Sequence, residues 1–320
     1  MPVAFTDVNP DPVASGIVQS FGRGGEFVHN MVAPLRTVPG KKFRYGKWNF
    51  ADMQSAHHET KMPDKGPANV REHRGLSWAT GLCVAHGLVE EWSDTDRAES
   101  ELMGMGADHE MAIWQDINHE LGLGAEAEVK AALDAASNAT TLTTTQQWND
   151  SSADILGTFD LAKKAFRHNC GVNPTHVIIT EDCWDVFIND ATILGLEKYT
   201  RGGIVQDANA GLFAPVRGIQ PIVPTVLKNS ANPGATASVA ELWSDDKVYF
   251  IYVDPGAASN LKAFTSLFFA QSMTLPGLNV AADSWRPTNR TKKWTNYAVT
   301  LNRVLKTQDE MIYRLDDVLE

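Results

Sequence analysis

Apolar residues recur every three or four positions along one stretch of the chain. Met111, Trp114, Ile117, Leu121, Ala125, Val129, Ala132 and Ala136 fall on a single stripe. The spacing predicts a helix over about 107–135, roughly 40 Å long, inside a helical region from Asp94 to Ser137. Glu110, Gln115, Glu120, Glu126 and Lys130 occupy its opposite, polar face. Gly122 and Gly124 each cost about 1 kcal/mol relative to alanine there, which leaves room for a kink or break. Upstream, FRYGKWNF (43–50) alternates as a strand, and 51–71 is polar, with two prolines and a glycine, and reads as a loop. Ser77 to Trp92 is strand-like again. Together these suggest a long two-stranded excursion, which is marginal alone in water and is expected to lie on something else. Residues 1 to about 33 show neither period and read as an extended arm, which must find partners elsewhere or stay mobile.

Beyond Ser137 the helical pattern stops. The threonine-rich ATTLTTTQQWNDSS marks a boundary near residue 148. Ser151 can cap a following helix, with Asp154 completing an acidic capping box. Ile155, Phe159, Ala162 and Phe166 line one face of that helix, and Gly171 supplies its stop. HVIIT (176–180) reads as a short buried strand. Asp182 can cap the next helix, CWDVFIND, with Trp184, Phe187 and Ile188 facing inward. Strands are expected over 218–227 and 239–254, the second with a turn at SDDK. A loop-rich stretch follows from Gly256 to Pro287. The chain closes with YAVTLNRVL and with DEMIYRLDDVL, whose period is ambiguous. The mixture is α+β rather than a regular βαβ alternation, with no internal repeat.

Composition narrows the function class. The 320 residues suit one large domain or two to three small ones, and 43% hydrophobic content supplies a sizeable core. No apolar run approaches a membrane span, and the first residues lack a secretory pattern. A net charge of −11 disfavours tight general nucleic-acid binding, though not enclosure of nucleic acid. Cys83, Cys170 and Cys183 are too few and too scattered for a disulfide framework, so a reducing compartment is expected.

The chemistry-bearing residues form no recognisable catalytic set, and no catalytic, cofactor-binding or metal-ligating residue is assigned. His57, His58 and Glu59 are the densest cluster, but further converging ligands are not suggested by spacing. His109-Glu110 and His119-Glu120 are ten residues apart and do not stack on one helix face. Arg167 and His168 precede Cys170 and could lower its thiol pKa, whereas burial would leave it inert. FGRGGEF has glycines but no following Lys-Ser/Thr, so it is an arm rather than a phosphate loop. EEWSDTDRAESE reads as a solvated helix start, acids being favoured at the positive dipole end. Nine tryptophans, spread over every segment, fit core and interface anchoring.

Two stretches carry a resemblance. AKKAFRHNCGVNPTHVIITEDCWDVFIND (162–190), followed by ILGLEKYT, resembles the central domain of tailed-bacteriophage major capsid proteins. There a helix leads through Gly-x-x-Pro to a short strand and an apolar helix containing a tryptophan. ASVAELWSDDKVYFIYVDPGAAS (237–259) resembles the Trp-Gly-Asp-Asp strand pair of the same family, with Ser244 in place of the glycine. The order of elements fits from about residue 36 onward.

The resemblance implies the α+β shell fold shared with encapsulins. It comprises an N-terminal arm (1–35), an extended β-hairpin loop (36–75) lying across a neighbouring subunit, a peripheral domain with a long spine helix (76–148 and 290–320), and an axial domain (149–289). It implies a structural protein and not an enzyme: a major capsid protein self-assembling through hexamers and pentamers into an icosahedral head around double-stranded DNA, in a virion assembled in the host cytoplasm. Partners would be copies of itself and separate scaffolding, portal and decoration proteins, with no sequence-specific DNA binding, no membrane and no cofactor. Some relatives cross-link a loop lysine to a neighbour; Lys61 and Lys65 lie in the corresponding loop, without an assignable catalyst. The alternatives are an encapsulin-type shell around protein cargo and a metal-dependent hydrolase using the histidine and acidic clusters.

Overall fold

The computed structural model describes residues 11, 12, 14, 15, 18, 27–48, 76–199, 216–231, 236–243, 246–254, 256, 265–273, 280–286 and 294–319. In chain order the elements are α1 (His29–Val32), β1 (Leu35–Val38), β2 (Lys42–Trp48), β3 (Leu76–Leu82), β4 (Val84–Ser93), α2 (Asp94–Leu102), α3 (Gly106–Asp134), β5 (Ala139–Thr141), α4 (Ile155–Cys170), β6 (His176–Ile179), α5 (Glu181–Asn189) and α6 (Ala191–Tyr199). Then follow β7 (Gln220–Ile222), β8 (Leu227–Asn229), β9 (Val239–Glu241), β10 (Val248–Ile251), β11 (Leu267–Ser272), β12 (Val280–Trp285), β13 (Trp294–Thr307), a 3-10 turn (Asp309–Met311) and β14 (Ile312–Asp316).

Among the described residues, two five-stranded sheets organise the molecule. The first is built on β13. Along one edge β13 pairs antiparallel with β12 and then β11, which adds β1 in parallel; along the other it pairs with β4. The second runs β5-β14-β10-β6-β7, its outer pairs parallel and its inner pairs antiparallel. β2–β3 and β8–β9 form separate two-stranded ribbons.

The spine helix α3 fastens the two sheets together. Its first half puts Ile113, Trp114, Ile117 and Leu121 against Tyr297, Val299 and Leu301 of β13. Its second half puts Ala125, Val129 and Leu133 against Tyr249 and Ile251 of β10 and Ile312 of β14. The opposite face of the second sheet takes α4 and α5, with Phe159, Phe166 and Phe187 on Val248 and Phe250. This explains why VYFI and the Val177–Ile179 run lack polar–apolar alternation: both faces of these strands are covered. Fully burying each large side chain is worth about 1.5–3 kcal/mol.

Several expectations are revised. The helix runs unbroken over Gly106–Asp134, within a residue of the expected 107–135. Gly122 does not kink it but makes room, since a Cβ there would lie 2.8 Å from the Phe27 ring. Met111 is exposed and Glu126 is buried, the reverse of their expected faces. The 77–92 run is two strands broken at Cys83, and only the first pairs with β2. The cap of α4 is Asp154, whose carboxylate accepts the Gly157 N–H at 2.9 Å, not Ser151. α5 starts at Glu181 after Thr180, so Asp182 lies in its first turn. The 239–254 run divides into β9 and β10, which belong to different sheets. The expected loop 256–287 contains β11, buried at every residue, and β12. The ambiguous C-terminal segment is the strand β14. The sheets also cut across the expected 149–289 and 290–320 divisions. β11 and β12 pair with β13, whereas β14 pairs with β10.

The front arm is partly held by its own chain. Asp11 donates its N–H to the Ala282 carbonyl at 2.9 Å, Ser15 accepts the Ala282 N–H at 2.9 Å, and Val18 is buried against the spine and β13. The described arm residues thus pack on β12 and α3, a correction to an arm that finds its burial elsewhere. The 51–71 loop lies outside the described residues.

Candidate assembly surfaces and their buried anchors

Alternation gives the β2–β3 hairpin two unlike faces. Phe43 and Tyr45 point inward and pack with Phe268 and Ala270 of β11, the Tyr45 and Phe268 rings meeting edge-on at 5.5 Å. Gly81 opposes Phe43 because the ring fills the space of a side chain; a Cβ would lie 2.3 Å from it. Cys83 closes the root, its thiol donating to the Ala270 carbonyl at 3.5 Å. The outer face is Lys42, Arg44, Thr80 and Leu82, all exposed, with Trp78 57% exposed. A tryptophan so uncovered is a strong sign of an interface.

A second uncovered surface lies on α2. Ser93 caps this helix by accepting the Thr95 N–H at 3.2 Å, and Asp94 and Asp96 sit in its first turn, as the sequence suggested. Yet none of its residues is buried. Its half-covered side is Asp94, Arg97 and Ser100, while Ala98 and Leu102 face solvent. Leu102 is 87% exposed, and Met103, Met105 and Met111 continue the apolar patch into α3.

Beneath these surfaces are buried polar fasteners. Glu126, on the second half of the spine, accepts four hydrogen bonds. They come from the Val28 N–H at 3.2 Å, the His29 N–H at 2.8 Å, the His29 Nδ1 at 2.8 Å and the Trp243 Nε1 at 2.8 Å. The carboxylate serves as a distant N-cap for α1, whose own cap position, Val28, supplies none. One side chain thereby joins the arm root, the spine helix and the segment entering β10. Asp134, at the spine's end, accepts from Tyr249 Oη at 2.7 Å, Lys130 Nζ at 2.9 Å and Lys247 Nζ at 3.1 Å, and its carbonyl accepts from Arg314. Burial would raise the Asp134 carboxyl, but the three hydrogen bonds together outweigh it and hold the group below its ordinary value. Ser266 pins the crossing between sheets, accepting the Tyr252 N–H at 2.8 Å and donating to the Met311 carbonyl. Arg36 of β1 is buried with its guanidinium 4.1 Å from the Phe268 ring centre. Desolvation pushes its pKa down to about 10, opposed by Asp254.

No family model and no curated protein matches the chain. Solved structures do. A phage-related protein from Bordetella bronchiseptica RB50 aligns over 97% of this chain and 98% of its own, with TM-score 0.64 at 15% identity. The encapsulin of the holo-SrpI complex from Synechococcus elongatus PCC 7942 aligns over 90% and 86%, with TM-score 0.55 at 12% identity. The capsid protein of cyanophage P-SCSP1u aligns over 91% and 88%, with TM-score 0.51 at 12% identity. The chain has the shell fold shared by phage capsid proteins and encapsulins.

Within this shell fold the sequence-singled residues scatter. His57, His58, Glu59, Lys61 and Lys65 lie outside the described residues. His109 stacks on Trp92 at 4.5 Å and His119 sits beside Phe27 at 5.3 Å, so the two helix pairs serve different contacts. Glu90 is raised by burial and then by its neighbours Asp116 and Glu120. All three cysteines are buried, and burial raises Cys83, takes Cys170 to about 11 and Cys183 to about 12. Arg167 and His168 therefore do not activate Cys170. Among the described residues, no three metal-ligating side chains converge and no helix is long and apolar enough to cross a membrane. The sequence pattern places Glu126 on the solvated face and gives no sign of its buried role. The available hint was Gly122 one turn earlier, a gap in the helix surface where Phe27 packs and brings the arm root alongside.

Proposed function

We propose that this chain is the major capsid protein of a tailed bacteriophage, a structural protein that associates with itself through hexamers and pentamers into an icosahedral head around double-stranded DNA. The observation that carries the reading is the shell fold, which accounts for about nine-tenths or more of the chain. The uncovered faces of β2–β3 and α2 support self-association, because symmetric assemblies reuse such surfaces many times. The acidic composition suits a container, since a cationic lining would grip the packaged DNA. The working division is an arm, a hairpin loop, a peripheral unit built on β13 and an axial unit built on β10, with α3 spanning both units. Separate scaffolding, portal and decoration proteins belong to this reading.

The similarity to an encapsulin is as high as that to a phage capsid, which keeps a protein-filled compartment shell as the second reading. Electron microscopy of the expressed chain, with nucleic-acid and protein analysis of purified particles, tests both. Closed shells or capsomer rings are expected; DNA-filled heads of several hundred copies in infected cells support the first reading. Small shells holding a single enzyme support the second. A persistent monomer at high concentration would overturn both.

A further inference from the structure

One helix surface reverses the sign of the chain. From Ile155 to Thr180 there are three lysine or arginine residues and a single carboxylate, Asp160, in a chain of net charge −11. Helix α4 buries Ile155, Phe159, Ala162, Phe166 and Cys170, which leaves its opposite side free. Two rows run along that side at helical spacing. Asp160, Lys163 and Arg167 form one, and Leu161, Lys164 and His168 form the other. Lys164, Arg167 and His168 are exposed, and Leu161 among them is 61% exposed. Among the described residues, Lys164, Arg167 and His168 have no carboxylate within 4 Å.

The turn before β7 extends this patch. Arg217 and Gly218 both have positive φ, 51° and 79°, and Val216 and Ile219 bridge across them. Such a pair fits a type I′ turn, a conformation that a non-glycine residue enters at a cost. Val216 and Ile219 are buried in the same core as Phe159 and Phe166, which seats the turn beside α4. Lys163 fastens it, its ammonium donating to the Arg217 carbonyl at 2.7 Å. The Arg217 guanidinium lies 3.7 Å from Asp160, so the one carboxylate of this face is already engaged. Helix stability explains part of the charge, since Arg167 and His168 in the last turn suit the negative end of the dipole. It does not explain Lys164 or the bare Leu161.

The size of the patch selects its occupant. From Leu161 to His168 the helix rises about 10 Å, and with the turn alongside the surface is on the order of 200 Å². A stable contact between folded proteins takes roughly 800 Å² per partner. A short segment fits here, and a lattice contact between copies does not. Duplex DNA would meet Asp160 and offers Leu161 only a charged backbone. We propose that the free side of α4, with the Arg217 turn, is a docking surface for a short acidic segment of a separate protein. An apolar residue of that segment covers Leu161, and its carboxylates face Lys164, Arg167 and Arg217. Each such contact is weak and screened by salt. Repetition over many copies multiplies it; that gain rests on the proposed self-assembly, whereas docking on one chain does not.

The test titrates the dispersed full-length chain against a fluorescein-labelled synthetic peptide of glutamates with leucines along one helical face, read by anisotropy at low salt. The comparison probes are the same peptide with alanine for leucine, the same peptide with lysine for glutamate, and a short DNA duplex. Saturable binding of the acidic leucine peptide with Kd below about 1 mM is expected. Lys164→Glu with Arg167→Glu is expected to weaken it by about tenfold or more. Lys164→Gln with Arg167→Gln should fall between, and circular dichroism checks that each chain is folded. Leu161→Asn should weaken the leucine peptide and leave the alanine peptide unchanged. No saturable binding, binding unaltered by the charge reversal, or DNA bound as tightly through the same residues overturns the docking surface. A folded reversal that forms no particles where wild type does would make the patch a contact between copies, which also overturns it. A wild-type chain that never forms particles removes the proposed function and leaves the peptide result standing.

Discussion

Replacing Glu126 by glutamine tests the central fastener with almost no change of shape. The carboxylate accepts two donors on each oxygen: Val28 N–H and Trp243 Nε1 on Oε1, and both His29 donors on Oε2. Glutamine keeps one acceptor oxygen and puts an NH2 in place of the other. Whichever way the amide turns, two buried donors lose their acceptor and face another donor. Each unsatisfied buried donor costs about 1–3 kcal/mol, so the two together are expected to cost about 2–6 kcal/mol. Trp243→Phe removes one donor and leaves the carboxylate with three partners, so about 1–2 kcal/mol is expected. Denaturant unfolding of the unassembled chain measures both, and the double variant gives their coupling. Hydrogen exchange at Val28 and His29 should rise sharply in Glu126→Gln, because their N–H groups have no helical partner. A change below about 0.5 kcal/mol, together with unaltered exchange at those amides, would refute the assignment of Glu126 as the fastener of the arm root.

Three further outcomes follow from the same geometry. Gly124→Ala is expected to stabilise the spine by about 1 kcal/mol, since its Cβ would meet only Arg303 Nη2 at 3.6 Å. Gly122→Ala, equal in propensity, should instead be neutral or destabilising because of Phe27; thermal unfolding of the pair checks the contrast. Gly81→Val should cost about 1–3 kcal/mol by displacing the Phe43 ring, and proteolysis at the hairpin root should accelerate. The Asp134 carboxyl is held below its ordinary value of 3.8, so its stabilisation is present above that pH and is lost as pH falls through the lowered value. Asp134→Asn should therefore lower stability at neutral pH by about 1–3 kcal/mol and flatten the acid limb; an unchanged acid limb would contradict the sign.

Local periodicity made much of the secondary structure legible. The α3 stripe and the α4 face, with its stop at Gly171, announced themselves because each buries one side against a sheet. β10 and β6 were visible as short apolar runs, but their partners were not. Pairing of β10 with β14 joins residues about sixty positions apart, and no periodic signal records that. β11 was read as loop because LFFAQS is buried on both faces and lies among glycines and prolines, so it lacks alternation. Glu126 was placed on the wet face for a related reason. A helical wheel reports which side meets the main sheet, not that Phe27 and His29 return to cover the flank. The uncovered α2 and Trp78 faces were likewise illegible, because composition shows apolar residues without saying which ones the chain leaves outside.

That division between covered and uncovered groups carries the physical argument for assembly. The strongest polar contacts, those of Glu126 and Asp134, are internal. They join the arm root to the spine, and the spine to the second sheet, into one unit. A unit fixed in this way does not need association to hold its sheets together. The exposed tryptophan, leucine and methionines are therefore not remnants of an unfinished core. They lie on separate elements at opposite ends of β13, the hairpin root beside lysine and arginine and α2 in a mainly acidic stretch. On the proposed reading, self-association would cover such faces, and a symmetric assembly would reuse each of them many times.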